Sequence, residues 1–289
     1  MADGGYSTEP LGPVFGAAVG GFALTAPVTE AAFAWLSDAL DRHGVLLFRG
    51  QSLEPAHILA WSRRFGPLER HSEAHYLLDG HDEIVVIGNL VVDGVMRSLF
   101  VNAREEWHFD YAYAAVPSIA ALFYAVEVPP QGGDTVFADM RAAYDGLGVA
   151  LKARVNGLVG VFSYEELDRH LRRMDPTRPP LSAAMRRAWP PVRHPIVQAH
   201  PSTGRKALRL SPQIMTGIEG LSADAAGAGA LIAELSAHAT QPRFLYRHRW
   251  QPGDLVLFDN RSMLHTATPF DAERYRRIMY RTTIMAPAA

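Results

Sequence analysis

The chain has 289 residues, 48% of them hydrophobic and 20% charged, with a formal net charge of -2 at pH 7. That length suits one large hydrophobic core, and the near-neutral balance gives no basic field for a nucleic-acid partner. Cysteine is absent, which removes disulfides, thiolate metal ligands and cysteine nucleophiles and fits a reducing compartment. The opening MADGGYSTEP has no basic segment leading into an apolar one. No apolar run approaches the roughly 20 residues of a membrane helix. A cytoplasmic protein with no membrane and no nucleic-acid partner is expected.

In chain order, residues 29–43 read as an amphipathic helix, with Thr29 placed to cap it, Phe33, Leu36 and Leu40 on one face, and Gly44 to end it. Val45-Leu46-Leu47-Phe48 follows as a short buried strand. A second helix is expected over 55–65, with Pro55 in its first turn, and a strand over 84–87. From about residue 100 short strands alternate with Gly, Pro, Asp and Asn: 119–127, 135–138, 192–198, 207–210, 254–258 and 277–284. That spacing favours a sheet sandwich or barrel over repeated βαβ units. Helices are expected over 142–151 and 224–238, on the outside. Residues 164–191 stand apart as a charged, arginine-rich, proline-punctuated excursion. Within a single domain spanning 1–289, the region 160–191 is expected to act as a lid.

Chemistry concentrates at Trp107-His108-Phe109-Asp110. In a strand, residues i and i+2 share a face, so His108 and Asp110 can address one metal while Phe109 points away. One imidazole and one carboxylate leave a site incomplete, and a second histidine from a distant strand makes the facial triad of non-heme Fe(II). His265, after the block HRWQPGDLVLFDNRSML and before the arginine cluster Arg274, Arg276, Arg277 and Arg281, is the candidate. Arginine carries nearly all the positive charge, lysine standing only at Lys152 and Lys206, and its rigid fork suits carboxylates and sulfonates.

Four separated blocks carry a resemblance: WHFD, GGDT at 132–135, HPIVQAHPSTGRKAL at 194–208, and HRWQPGDLVLFDNRSMLH at 248–265 with RRIMYRTT beyond it. In this order they resemble the taurine dioxygenase family of Fe(II)/2-oxoglutarate oxygenases. The resemblance implies a mainly β fold with flanking helices, a double-stranded β-helix (jelly roll, cupin-like), with iron ligands His108, Asp110 and His265. It implies 2-oxoglutarate and molecular oxygen as cosubstrates, and oxidation of a small anionic organic acid with release of succinate and carbon dioxide. Asp110 argues against halogenation, since related iron halogenases carry a small residue there. A homodimer or homotetramer is favoured by the same resemblance.

Aligning RRIM with the family pattern makes Arg277 the anchor for the distal carboxylate of 2-oxoglutarate, assisted by Thr135. Counting from His265 would select Arg276 instead. Arg281 matches the arginine that receives the substrate anion, with Arg104, His71 (or His75) and Tyr111 as further substrate contacts. Arg104 stands where taurine dioxygenase has Asn, and Leu210-Ser211-Pro212-Gln213 departs from the family's aromatic/valine-Asn segment. Both departures speak against taurine and for a larger or differently shaped acid. Asp254, Asp259, Asn260 and Arg261 read as organisers of turns and polar networks. Hydroxylation is the default outcome; desaturation, cyclisation or other tailoring by the same iron site is the alternative. A zinc hydrolase would leave the arginine anchor unexplained, and a metal- and acid-binding β-helix protein without catalysis would produce no succinate.

Overall fold

Strands with consecutive apolar residues need cover on both faces, and Val45–Phe48 and Leu255–Asp259 have it. Leu46, Phe48, Leu255 and Leu257 pack outward against Leu36, Leu40, Ile58 and Trp61 of two helices, Glu30–His43 and Pro55–Phe65. Their alternate neighbours Val45, Leu47, Val256 and Phe258 pack inward with Phe123, Phe137, Met263 and Met279. Each large apolar side chain buried this way contributes about 1.5–3 kcal/mol, which is why the two-sided strands form the centre of the sheet.

In the computed structural model, residues 5–71, 73–99, 106–174, 178–222 and 227–287 are described. The large sheet has eight strands, in the order Ser7–Pro10, Ala17–Gly20, Val45–Phe48, Leu255–Asp259, Ser118–Glu127, Ile278–Met285, His81–Gly88 and Leu77–Leu78. Facing it is a three-stranded sheet, Leu245–His248, Thr135–Asp139 and Met263–Ala267. Its Phe137 and Met263 share the inward core. A second three-stranded sheet, Val192–Pro195, Val159–Phe162 and Met215–Ile218, extends this layer. It shares a core with the helix Ala228–Ala239 through Phe162, Met215, Leu231 and Leu235. Two facing β layers with helices outside form a double-stranded β-helix of the cupin-like kind. Among the described residues no helix is long and apolar enough to cross a membrane.

Thr29 caps the first helix by accepting the Ala32 backbone N–H at 3.2 Å. The expected helix over 142–151 is instead two, Met140–Asp145 and Val149–Val155. Asp139 caps the first, and a side chain at Gly146 would press on the Phe244 ring, so the chain breaks there. The expected strand over 192–198 is likewise two short strands, Val192–Pro195 and Val197–Ala199, in different sheets. The excursion 164–191 carries two helices, Tyr164–Met174 and Ala183–Ala188, where the sequence reads as loop. The residues of the 224–238 expectation before Gly227 lie outside the described residues.

Candidate metal and cosubstrate site

His108 and His265 face each other across an isolated antiparallel bridge and exchange both backbone hydrogen bonds, His108 N to His265 O at 3.0 Å and the reverse at 2.9 Å. Their rings lie 4.3 Å apart. Strand alternation does not bring Asp110 to them. After the bridge the chain enters a turn in which Tyr111 adopts φ 60°, the left-handed region that non-glycine residues seldom occupy. The turn is clamped by Asn260, which is 2% exposed. Asn260 Oδ1 accepts the Asp110 N–H at 2.8 Å, and its Nδ2 donates to Asp110 O at 2.9 Å, Ser118 O at 2.8 Å and Ser118 Oγ at 2.9 Å.

The result is a cluster of His108, Asp110 and His265 whose candidate ligand atoms all lie within 4.8 Å of one another. Asp110 Oδ1 is 3.7 Å from His108 Nε2 and 3.9 Å from His265 Nε2. The donor chemistry fits a divalent iron ion. His108 Nδ1–H donates to the Glu106 carbonyl at 2.8 Å, which fixes the tautomer and leaves the Nε2 lone pair for a metal. Burial pushes the His265 pKa down to about 3, helped by His108 and Arg281, so its ring is neutral as a ligand must be. Burial would raise the Asp110 pKa, but the Arg281 guanidinium 3.7 Å away, with His265 and His108, holds it below the usual carboxylate range. Asp110 Oδ2, buried and without a partner among the described residues, is an oxygen suited to a cation.

Next to the cluster lies a cavity lined by Ile87, Glu106, Phe123, Thr135, Thr266, Arg277 and Arg281. Arg277 is 3% exposed and fastened at several points. Its backbone N–H donates to Asn89 Oδ1 at 2.8 Å, its carbonyl accepts from Asn89 N at 3.1 Å, and its Nε donates to Gly133 O at 3.0 Å. The strand His81–Gly88 approaches so closely that a Cβ on Gly88 would lie 1.6 Å from the Arg277 carbonyl oxygen. Burial lowers the Arg277 pKa to about 10, opposed by Asp134, so the group stays cationic at neutral pH. Arg276, the other register, points elsewhere and pairs with Glu127 at 3.5 Å on the exposed side. Thr135 lies opposite, in the register Thr135↔Ala267 two pairs along from Phe137↔His265.

Arg281 also lines this cavity, 12% exposed in its side chain, with a buried Nε that has no hydrogen-bond partner among the described residues. Tyr111 donates its hydroxyl to the Glu69 carboxylate and stacks 5.3 Å from Tyr113. Tyr113 in turn meets Tyr164 at 4.8 Å and Trp189 at 5.3 Å, the two ends of the excursion. His71 is not among the cavity-lining residues; its Nδ1 accepts the Glu73 N–H at 3.2 Å. His75 is exposed and stacks on Tyr76 at 3.9 Å. Arg104 lies outside the described residues.

The excursion is tied to the body by charge as well. Asp168, 1% exposed, accepts from Arg172 Nε at 2.8 Å and Arg178 Nε at 3.3 Å, and Arg178 reaches Glu73 at 3.6 Å. His170 Nε2 pairs with the Glu106 carboxylate at 2.5 Å, beside the metal cluster. Neither tie was legible in the sequence, because each joins segments about 60 to 100 residues apart, as the separation of 64 for His170 and Glu106 illustrates.

Comparison with known proteins follows this geometry. The model of the family described as "Taurine catabolism dioxygenase TauD, TfdA family" matches residues 7–283. The chain is 36% identical over 290 residues to the alpha-ketoglutarate-dependent 2,4-dichlorophenoxyacetate dioxygenase of Cupriavidus pinatubonensis, covering 96% of each chain. It is 32% identical over 278 residues to the pentalenolactone F synthase of Streptomyces arenae, covering 93% of this chain and 91% of that one. The solved structure of AAD-2 in complex with Mn(II) and N-oxalylglycine superposes with a TM-score of 0.81 at 30% identity, covering 99% of this chain and 98% of the other.

Proposed function

This chain belongs to the TauD, TfdA family of Fe(II)/2-oxoglutarate-dependent dioxygenases, and from that premise we propose that it hydroxylates an unactivated C–H bond of a small anionic organic acid. The observation that carries the reading is that two arginines, the buried Arg277 and the largely buried Arg281, line one cavity together with His108 and His265 of the metal cluster. One cation serves the cosubstrate and one the substrate.

Iron and 2-oxoglutarate would supply the oxidative chemistry, one atom of molecular oxygen entering the substrate and the other the succinate formed with carbon dioxide. His108, Asp110 and His265 would hold one face of the metal and leave the opposite face open. Arg277 receives the distal carboxylate of the cosubstrate through its two terminal nitrogens, and Thr135 adds a hydroxyl donor. Arg281 binds the substrate anion with its unpartnered Nε–H. Its charge beside Asp110 also keeps that carboxylate ionised as a ligand. Ile87 and Phe123 give the cavity apolar walls, which strengthens each of these charge contacts by excluding water. No protein nucleophile is required.

Aryloxyalkanoic acids are the first substrates to test, since the Cupriavidus relative is named for 2,4-dichlorophenoxyacetate and the rings of Tyr111, Tyr113, Tyr164 and Trp189 adjoin one another on the lid side of Asp110. Oxidative tailoring without simple hydroxylation is a second reading, favoured by the likeness to pentalenolactone F synthase. Anaerobic binding of Fe(II) and 2-oxoglutarate, followed by an oxygen-dependent succinate screen across carboxylates, amino acids, sulfonates, sulfates and phosphonates, tests both. Succinate with a matching hydroxylated product supports the first reading, and a desaturated or cyclised product supports the second. No 2-oxoglutarate binding in the presence of iron rejects the reaction class.

A further inference from the structure

The loop between Leu245–His248 and Leu255–Asp259 carries Trp250, 8% exposed and outside the cavity lining. Its indole packs edge-on against His248 at 4.4 Å and stacks on Phe123 at 6.4 Å. Its Nε1–H donates to Thr135 Oγ1 at 3.0 Å in a buried hydrogen bond. Indole nitrogen only donates, whereas a hydroxyl carries one hydrogen and two lone pairs. The direction of this bond is therefore settled. Thr135 accepts, and its own hydrogen cannot point at the indole. Among the described residues that hydroxyl has no other hydrogen-bond partner.

Arg277 repeats the pattern. Its Nε–H is committed to Gly133 O at 3.0 Å, and among the described residues its terminal nitrogens donate to no protein acceptor. Arg277 thus faces the cavity with donors only, and the Thr135 hydroxyl, one lone pair taken by the indole, keeps its hydrogen for a ligand. A carboxylate, with two oxygens and no hydrogen, is the group that satisfies such an array. A ligand ending in a methyl group leaves it buried and unpaired, which is costly.

We propose that Trp250 is a positioning residue that occupies one lone pair of the Thr135 hydroxyl and so orients its hydrogen toward the cavity, and that it thereby sets the preference for a 2-oxo dicarboxylic acid over a 2-oxo monocarboxylic one. The inference rests on the assignment of Thr135 and Arg277 to the distal carboxylate, and it adds the residue that orients one of them. With Phe at position 250 the ring contacts to His248 and Phe123 persist while the N–H is lost. The threonine hydroxyl is then free to rotate and to spend its hydrogen elsewhere.

The test is the dissociation constant of the Mn(II)-loaded protein for 2-oxoglutarate and for 2-oxopentanoate, which keeps the chelating end and lacks the distal carboxylate. Trp250→Phe is expected to weaken 2-oxoglutarate roughly fivefold to tenfold, the scale of one charge-assisted hydrogen bond, and to leave 2-oxopentanoate within about twofold. In a Thr135→Val background the same change should add nothing. Equal 2-oxoglutarate affinity before and after Trp250→Phe overturns the inference while leaving the proposed function standing. Equal losses for both acids also overturn it, because they mark a packing role. Wild-type protein that binds 2-oxopentanoate as tightly as 2-oxoglutarate overturns both. Should Trp250→Phe not fold, hydrogen exchange of the Trp250 indole N–H in the wild-type protein gives the answer. The expected result is slower exchange with 2-oxoglutarate and no change with 2-oxopentanoate; the same rate in both overturns the inference.

Discussion

The two arginines of the cavity sit in unlike surroundings. Around Arg277 every support comes from the β core or from loops pinned to it: Asn89 at the end of one strand, Gly133 ahead of another, Trp250 behind Thr135. Arg281 is itself held in the sheet, paired with Val85 and Phe123, but the groups about its guanidinium are Asp110 at 3.7 Å, Glu69, Tyr111 and Tyr113, and Tyr113 in turn meets two rings of the helical excursion. Among the described residues the Arg281 Nε has no partner, whereas the Arg277 Nε has one. On the proposed assignment, a group that meets the same small dicarboxylate in every turnover gains from being held rigid in advance. The side chains that surround the Arg281 guanidinium come instead from turns and from the excursion's neighbours, which can differ without disturbing the sheet.

Exchange of Arg277 should break this contrast most sharply. Arg277→Met is expected to raise the 2-oxoglutarate dissociation constant on the order of a hundredfold, from loss of a buried bidentate charge contact, while Arg276→Met changes it less than about twofold, since exposed pairs contribute little. A large effect at Arg276 and none at Arg277 would invert the assignment. Asn260→Ala comes next, since it strips four hydrogen bonds from the Asp110 turn and Ser118. Metal affinity should fall roughly ten- to a hundredfold, as for other residues that orient a ligand, and titration with Mn(II) or Fe(II) would measure it. Unchanged affinity would mean the turn holds itself.

Arg281→Met should act on the other end, raising KM for the acidic substrate roughly tenfold or more while 2-oxoglutarate affinity measured without substrate stays nearly constant. A parallel loss of both would show that the two ends are not separable. The smallest effect is expected at the lid. Trp189→Ala removes one ring from the Tyr113 and Tyr164 cluster, and a rise in KM of a few fold, on the order of 1 kcal/mol for an aromatic contact, should be larger for aryl acids than for aliphatic ones. Equal change for both classes would place Trp189 in lid closure rather than in recognition.

The His108, Asp110 and His265 cluster comes together as expected, but by a different physical route. His108 and Asp110 were paired by strand periodicity, yet only His108 makes a ladder bridge, and Asp110 reaches the same point through a clamped turn. The two-helix form of residues 164–191 was hidden for a different reason. The helix Tyr164–Met174 is dominated by charged side chains with i,i+3 and i,i+4 partners such as Arg169–Glu166 and Arg172–Asp168, and the prolines that follow drew the whole stretch toward a loop. The strands Ser118–Glu127, Thr135–Asp139, Leu255–Asp259 and Ile278–Met285 were legible within a residue or two, because apolar runs between glycine, proline and aspartate turns report burial directly, whereas Val159–Phe162, Met215–Ile218, Leu245–His248 and Met263–Ala267 were not read as strands.

The sequence by itself determined the β-rich class, the two amphipathic helices and the candidate ligand types, since periodicity and the chemistry of side chains are local properties. Ordered motifs extended this to a family and a reaction class. Only the tertiary structure buried Arg277 and left Arg276 exposed, joined Asn260 to Asp110 and Trp250 to Thr135, and tied the helical excursion to Glu73 and Glu106. These depend on which distant segments pack together, and a hydrogen bond between residues more than a hundred positions apart leaves no periodic trace in either one.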